Sequence, residues 1–187
     1  MTTPSFSKGS DHPAGSWTPW LGLAWVYSGV FWLLCLFATA GWSDRGVAAS
    51  VAVRLAGTLA FGIGVCATER WAWAGVVCLA GFHLAAATVL ATLAGVALLT
   101  APPTTLSWTP LFLGYTVEGC RRIVVFAGVA AVMAAANIGI LWRAQAQFDV
   151  PHRRPFTVLV RHGVWTCIPV LAADLYLLYS VWLSSTR

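Results

Sequence analysis

Apolar residues fill five stretches of this chain, at 20–42, 49–67, 71–93, 123–142 and 162–184, and most polar residues fall between them. Roughly 20 apolar residues, at about 1.5 Å of helical rise each, cross a hydrocarbon core of about 30 Å. The pattern predicts an all-α fold: a polytopic bundle of five transmembrane helices. Residues 1–16 (MTTPSFSKGSDHPAGS) are rich in Ser, Thr, Gly and Pro, cannot bury a core and read as a flexible polar tail. Residues 17–187 read as a single bundle. Ala38-Thr39-Ala40 imitates a signal-peptidase site, but the apolar run before it is too long and its leading segment too weakly basic, so the first span reads as retained.

The connections order the spans. Thr68-Glu69-Arg70 is so short that spans two and three form an antiparallel hairpin. The connection at 100–120 is longer. Pro102-Pro103 stops the preceding helix, and 106–115 is apolar enough to lie in the interface. Residues 143–161 form a second long loop. With the N-terminal side called A, Trp17, Trp20, Trp71, Trp73, Trp142 and Trp165 fall near side A, and Trp42, Trp108 and Trp182 near side B. Five spans thus place most tryptophans in two interfacial belts. Side A carries Lys8, Arg70, Arg143, Arg153, Arg154 and Arg161. Side B carries Arg45, Arg121, Arg122 and Arg187. That bias puts side A, with the N-terminus, in the cytoplasm.

Composition narrows the functions. Charged residues are only 9% of the chain, against roughly 25% in soluble domains, so a water-soluble fold is excluded. A net charge of +5 would suggest nucleic acid in a soluble protein. Here the basic residues flank spans, where they meet lipid headgroups, and nucleic acid is not an expected partner. No C-x-x-C occurs among the five cysteines, which gives no zinc or thiol–disulfide site. No catalytic, metal or nucleotide motif stands out. The strong preference for Arg over Lys, with abundant Ala, Gly and Val, fits a GC-rich bacterial genome and hence a bacterial inner membrane.

Small residues allow helices to approach closely in lipid. Ala52, Ala56, Ala60, Gly64 and Thr68 recur at every fourth position of span two, and Ala127, Ala131 and Ala135 repeat the device in span four. These lines are expected to pack against a neighbouring helix or another subunit. Among the polar residues within spans, Arg54, His83, Asn137 and Asp174 are the candidates to weigh. Intramembrane charges are functional candidates. Arg54 lies about four residues before the middle of its span, roughly 6 Å toward side B. Asp174 lies a residue or two past the middle of its span, roughly 2–3 Å toward side B. Their depths match within the reach of an Arg side chain, and His83 is near the midplane. Depth therefore allows a cluster of Arg54, Asp174 and His83; Asn137, toward side A, is grouped with Arg54 and Asp174 as an intramembrane polar candidate and is expected to bond a neighbouring helix. Alternatively, Arg54 snorkels to side-B headgroups. His83 reads as a hydrogen-bonded structural residue or as the candidate cofactor ligand, for haem or chlorophyll, since neutral imidazole is a good axial ligand. Glu118 stands within one turn of Arg121 and Arg122 and reads as a solvated ion-pair cluster. Pro169 removes a backbone donor just before Asp174 and should bend span five.

Arg54-Leu55-Ala56-Gly57, with Gly62, Gly64, the charged turn Glu69-Arg70 and the Ala-rich span that follows, resembles the loose group of small four-helix bacterial membrane proteins of DoxX-like and DUF-type families. The resemblance covers about residues 50–95. It implies a small helical bundle and no single activity. The fifth span and the long side-B loop depart from it. Three readings stay open: a non-catalytic subunit packing against partner helices and lipids, as a hetero-complex or homo-oligomer; a small transporter or proton conductor using Arg54, Asp174 and His83; and a membrane enzyme or cofactor carrier using His83.

Overall fold

In a computed structural model of the chain, residues 17–39, 45–100, 117–151 and 155–185 are described. The expectations for the tail 1–16, Pro102-Pro103, the segment 106–115, Trp42, Trp108 and the side chains of Glu118 and Trp182 lie outside the described residues. The elements are α1 (Thr18–Thr39), α2 (Arg45–Cys66), α3 (Arg70–Thr100), α4 (Val117–Arg143), a 3-10 turn (Gln145–Phe148), α5 (Pro155–Val158), a π-helical turn (Leu159–Gly163) and α6 (Val164–Ser185). No strand occurs among the described residues. Four helical segments are long and apolar enough to cross a membrane: Arg45–Cys66, Arg70–Leu99, Cys120–Arg143 and Pro155–Ser180. The last of them begins well before 162, so residues 155–161, expected in a loop, are helical. Pro155 suits this start, because the first helical residue has no use for an N–H donor.

The bundle has a three-helix centre of α2, α3 and α6, with α1 backing α2 and α4 backing α3. The hairpin between α2 and α3 closes by two backbone bonds, Thr68 N to Val65 O at 3.1 Å and Glu69 N to Gly64 O at 2.9 Å. Thr68 takes the left-handed conformation, φ 56°, which this helix ending requires.

The buried seam of α2 is Val47, Val51, Arg54, Thr58, Phe61 and Val65. Its alternating intervals of four and three residues keep it on one side of the helix. The expected Ala52/Ala56/Ala60 line is not the intrachain packing face: all three alanines are exposed, and only Gly64 is buried, against Ala72 and Trp71. The reason is geometric. A step of four residues overshoots one turn by about 40°, so such a line winds around the helix. A seven-residue step drifts by only about 20°. The same correction applies to α4, where Ala127 is buried, Ala131 half-buried and Ala135 exposed. Its buried seam is Cys120, Ala127, Ala134 and Leu141. This seam faces Ala80, Ala87 and Ala94 of α3, which recur at the same interval and are also buried. Facing alanines bring the two antiparallel backbones close.

Glycines set the contact of α1 with α2. A Cβ at Gly62 would stand 2.8 Å from Val26 N and 2.9 Å from Gly22 O. Both are backbone atoms, so Gly62→Ala must push the helices apart. The expected cost is about 1–3 kcal/mol, as for other overpacked sites. Ala60→Leu, on the exposed line, is expected to leave the stability of the single chain unchanged. Thermal unfolding in detergent checks both; a harmless Gly62→Ala beside a damaging Ala60→Leu would reverse the assignment of faces.

At side A the core gathers Phe61, Val65, Trp73, Leu141, Phe148 and Val150. Trp73, expected in the interfacial belt, is fully buried and donates its indole N–H to Leu141 O at 2.7 Å. Trp17, Trp20 and Trp165 are exposed. The 3-10 turn is tied to α1 by Thr18 Oγ1 donating to Gln147 Oε1 at 2.7 Å. Just beyond that turn, Asp149 pairs with Arg70 of α3 at 3.2 Å. The ion pair is exposed and contributes little, but the two contacts place the starts of α1 and α3 beside the end of α4.

Candidate intramembrane polar site

Helices α3 and α6 run parallel, and their small residues fix the register. A Cβ at Gly163 would stand 2.7 Å from Ala74 O, and one at Gly75 would stand 2.8 Å from Thr166 Oγ1. The Gly75–Thr166 contact and the His83–Asp174 contact share one chain offset, 91 residues. The close approach near side A is thus carried in phase to mid-membrane. Helix α2 packs antiparallel on α6, with Gly57 lying under Val170. That brings Arg54 to the level of Asp174.

Three side chains meet there. Arg54 Nη1 is 3.1 Å from Asp174 Oδ2, with side-chain exposures of 11% and 15%. His83 Nε2 is 3.1 Å from the same oxygen, and its side chain is 33% exposed. Arg54 turns inward to Asp174. Thr58, one turn away, donates its hydroxyl to Arg54 O at 2.9 Å. One cation and one anion, Arg54 and Asp174, balance in a poorly screened setting. Arg54 meets the carboxylate as an ion pair, and His83 Nε2 lies within hydrogen-bond distance of it. Among the described residues Nδ1 has no hydrogen-bond partner.

Asn137 does not belong to this cluster. Its helix, α4, touches neither α2 nor α6. Asn137 Oδ1 accepts from Trp25 Nε1 of α1 at 3.3 Å, and its Nδ2 donates to Met133 O at 2.8 Å. It serves as a link between α1 and α4 near side A.

Helices α4 and α6 both pack on α3 but not on each other, which leaves a groove of about 530 Å³. His83, Ala86 and Ala87 form its floor, Phe126 and Ala130 one wall, and Leu177 with Leu178 the other; Asp174 also reaches it. Sequence reasoning missed this groove, because it depends on which helices stay apart. The nearest signal was the run Ala85-Ala86-Ala87 after His83, small residues that make room. A second cleft, about 670 Å³, opens at side A beside Trp17, Arg143 and Gln147.

No group of three or more His, Cys, Asp or Glu side chains among the described residues could hold a metal ion. For a cofactor at His83, Nε2 is engaged by Asp174, and Nδ1 is the nitrogen left for the groove. A carboxylate partner of this kind orients a ligating imidazole and raises its basicity. His162, half-buried in the π turn, is remote along α6 from this layer. No protein-family model, curated protein or solved structure matches this chain.

Proposed function

We propose that this chain is a five-span subunit of a bacterial inner-membrane assembly, without catalytic chemistry of its own, packing against partner helices and lipids. The observation that carries the reading is the outward line Ala52/Ala56/Ala60 of α2, exposed within the chain. Small residues let another backbone approach closely. By contrast, α4 turns Phe126, Val129, Val132 and Met133 outward, bulky side chains suited to lipid. The polar residues at membrane depth are engaged within the chain, Arg54 and His83 with Asp174 and Asn137 with Trp25.

The fifth span is α1, a 22-residue apolar helix packed antiparallel on α2. The cytoplasmic N-terminus rests on the Arg-rich side A, and the bacterial membrane on residue usage and the DoxX-like resemblance. The partner is a membrane subunit of another sequence or a second copy of this chain. Purification in mild detergent with native mass spectrometry tests the reading. A complex larger than one chain is expected, lost in Ala56→Trp while the chain stays folded. A wild-type protein that runs as a lone chain with lipid, or an Ala56→Trp complex that persists, contradicts it.

A further inference from the structure

We infer that the groove between α3, α4 and α6 binds a lipid-soluble alcohol, its hydroxyl donating to His83 Nδ1 and its apolar body lying along Ala86 and Leu177. The inference is independent of the subunit reading. It begins with the groove itself: about 530 Å³, within the range of roughly 300–1,000 Å³ typical of small-molecule sites. Its walls are apolar, and it lies between helices, so an occupant arrives from the hydrocarbon.

The floor selects the polar end of that occupant. His83 and Asp174 both line the groove, and Asp174 engages Nε2; with the ring proton there, Nδ1 is the acceptor that an occupant can reach. A carboxylic acid in its ionised form would set a second anion beside Asp174. An ammonium would add an unbalanced cation to a layer where Arg54 and Asp174 already cancel. Either charge is costly at this depth. A hydroxyl is a neutral donor and suits Nδ1 without disturbing the balance.

Depth excludes ordinary bilayer lipids as the intended occupant. His83 lies roughly 20 Å along α3 from its start at Arg70, at 1.5 Å per residue. A zwitterionic or phosphate headgroup would have to leave the interface to reach it. A molecule with one small neutral head and an otherwise apolar body does not.

The test uses the full chain in detergent micelles with two probes, a diazirine-bearing hexadecanol and its methyl ether. The ether has the same shape but no donor. Mass spectrometry of the labelled protein is expected to place the alcohol on α3 and α6 around Ala86 and Leu177. Its yield should exceed that of the ether about fivefold, the effect of one net hydrogen bond. His83→Phe should erase the preference between probes. Ala86→Trp should abolish groove labelling with the thermal midpoint retained, which separates a blocked site from a misfolded chain. Equal labelling by both probes, or labelling confined to other faces, overturns the proposal. So does a groove labelled only after residues 101–116 are replaced by a Gly/Ser linker, since that result would assign it to the chain's own segment.

Discussion

Asp174→Asn is expected to lower the unfolding free energy by about 3–5 kcal/mol, the range for a buried pair that loses one charge. The amide keeps the size of the carboxylate and an acceptor oxygen beside His83. What disappears is the negative charge, which leaves the Arg54 cation uncompensated among α2, α3 and α6. His83→Gln is expected to cost less, because its loss leaves the Arg54–Asp174 ion pair intact. Unfolding in mixed micelles titrated with sodium dodecyl sulfate reads both variants on one scale. Asp174→Asn with wild-type stability would mean that the charge is compensated by something other than Arg54.

Trp73→Ala is expected to cost on the order of 3 kcal/mol, the lower part of the range for a buried Trp truncated to Ala. Trp73 is fully buried at side A, among Leu141, Phe148 and Val150. Its removal opens a cavity under the 3-10 turn and loses the indole bond to Leu141 O that sets the α3–α4 register. Trp165→Ala, from an exposed position near the same side, is expected to have a small effect on unfolding. Equal losses in the two variants would return Trp73 to the interfacial belt.

Helix lengths were legible in the sequence. The apolar runs locate α2, α3, α4 and α6 to within a few residues at most ends, and counting residues along two runs puts Arg54 and Asp174 at one level. Facing was not legible. A helix in lipid is apolar all round, so no polar side marks the outside. With that contrast missing, the every-fourth alanines of α2 look like a packing face. The true seam hides because its central member is Arg54, the residue least expected to face inward. Once Asp174 is placed opposite, the seam is continuous. Trp73 deceived for a related reason: an aromatic near a span end suits an interface and a core equally, and only its bond to Leu141 O distinguishes them. The groove beside His83 follows from helices that do not touch, which no local pattern records.

A double-mutant cycle on Arg54 and Asp174 tests the inward-facing pair most directly. Arg54→Leu and Asp174→Leu are each expected to destabilise strongly, because each strands the opposite charge at 3.1 Å from where its partner stood. The combined variant removes both charges and should recover much of the loss, with a coupling energy of about 2 kcal/mol or more, in the upper part of the range for contacting residues. Losses that add within about 0.5 kcal/mol, the behaviour of independent sites, would contradict the account and return Arg54 to the side-B headgroups.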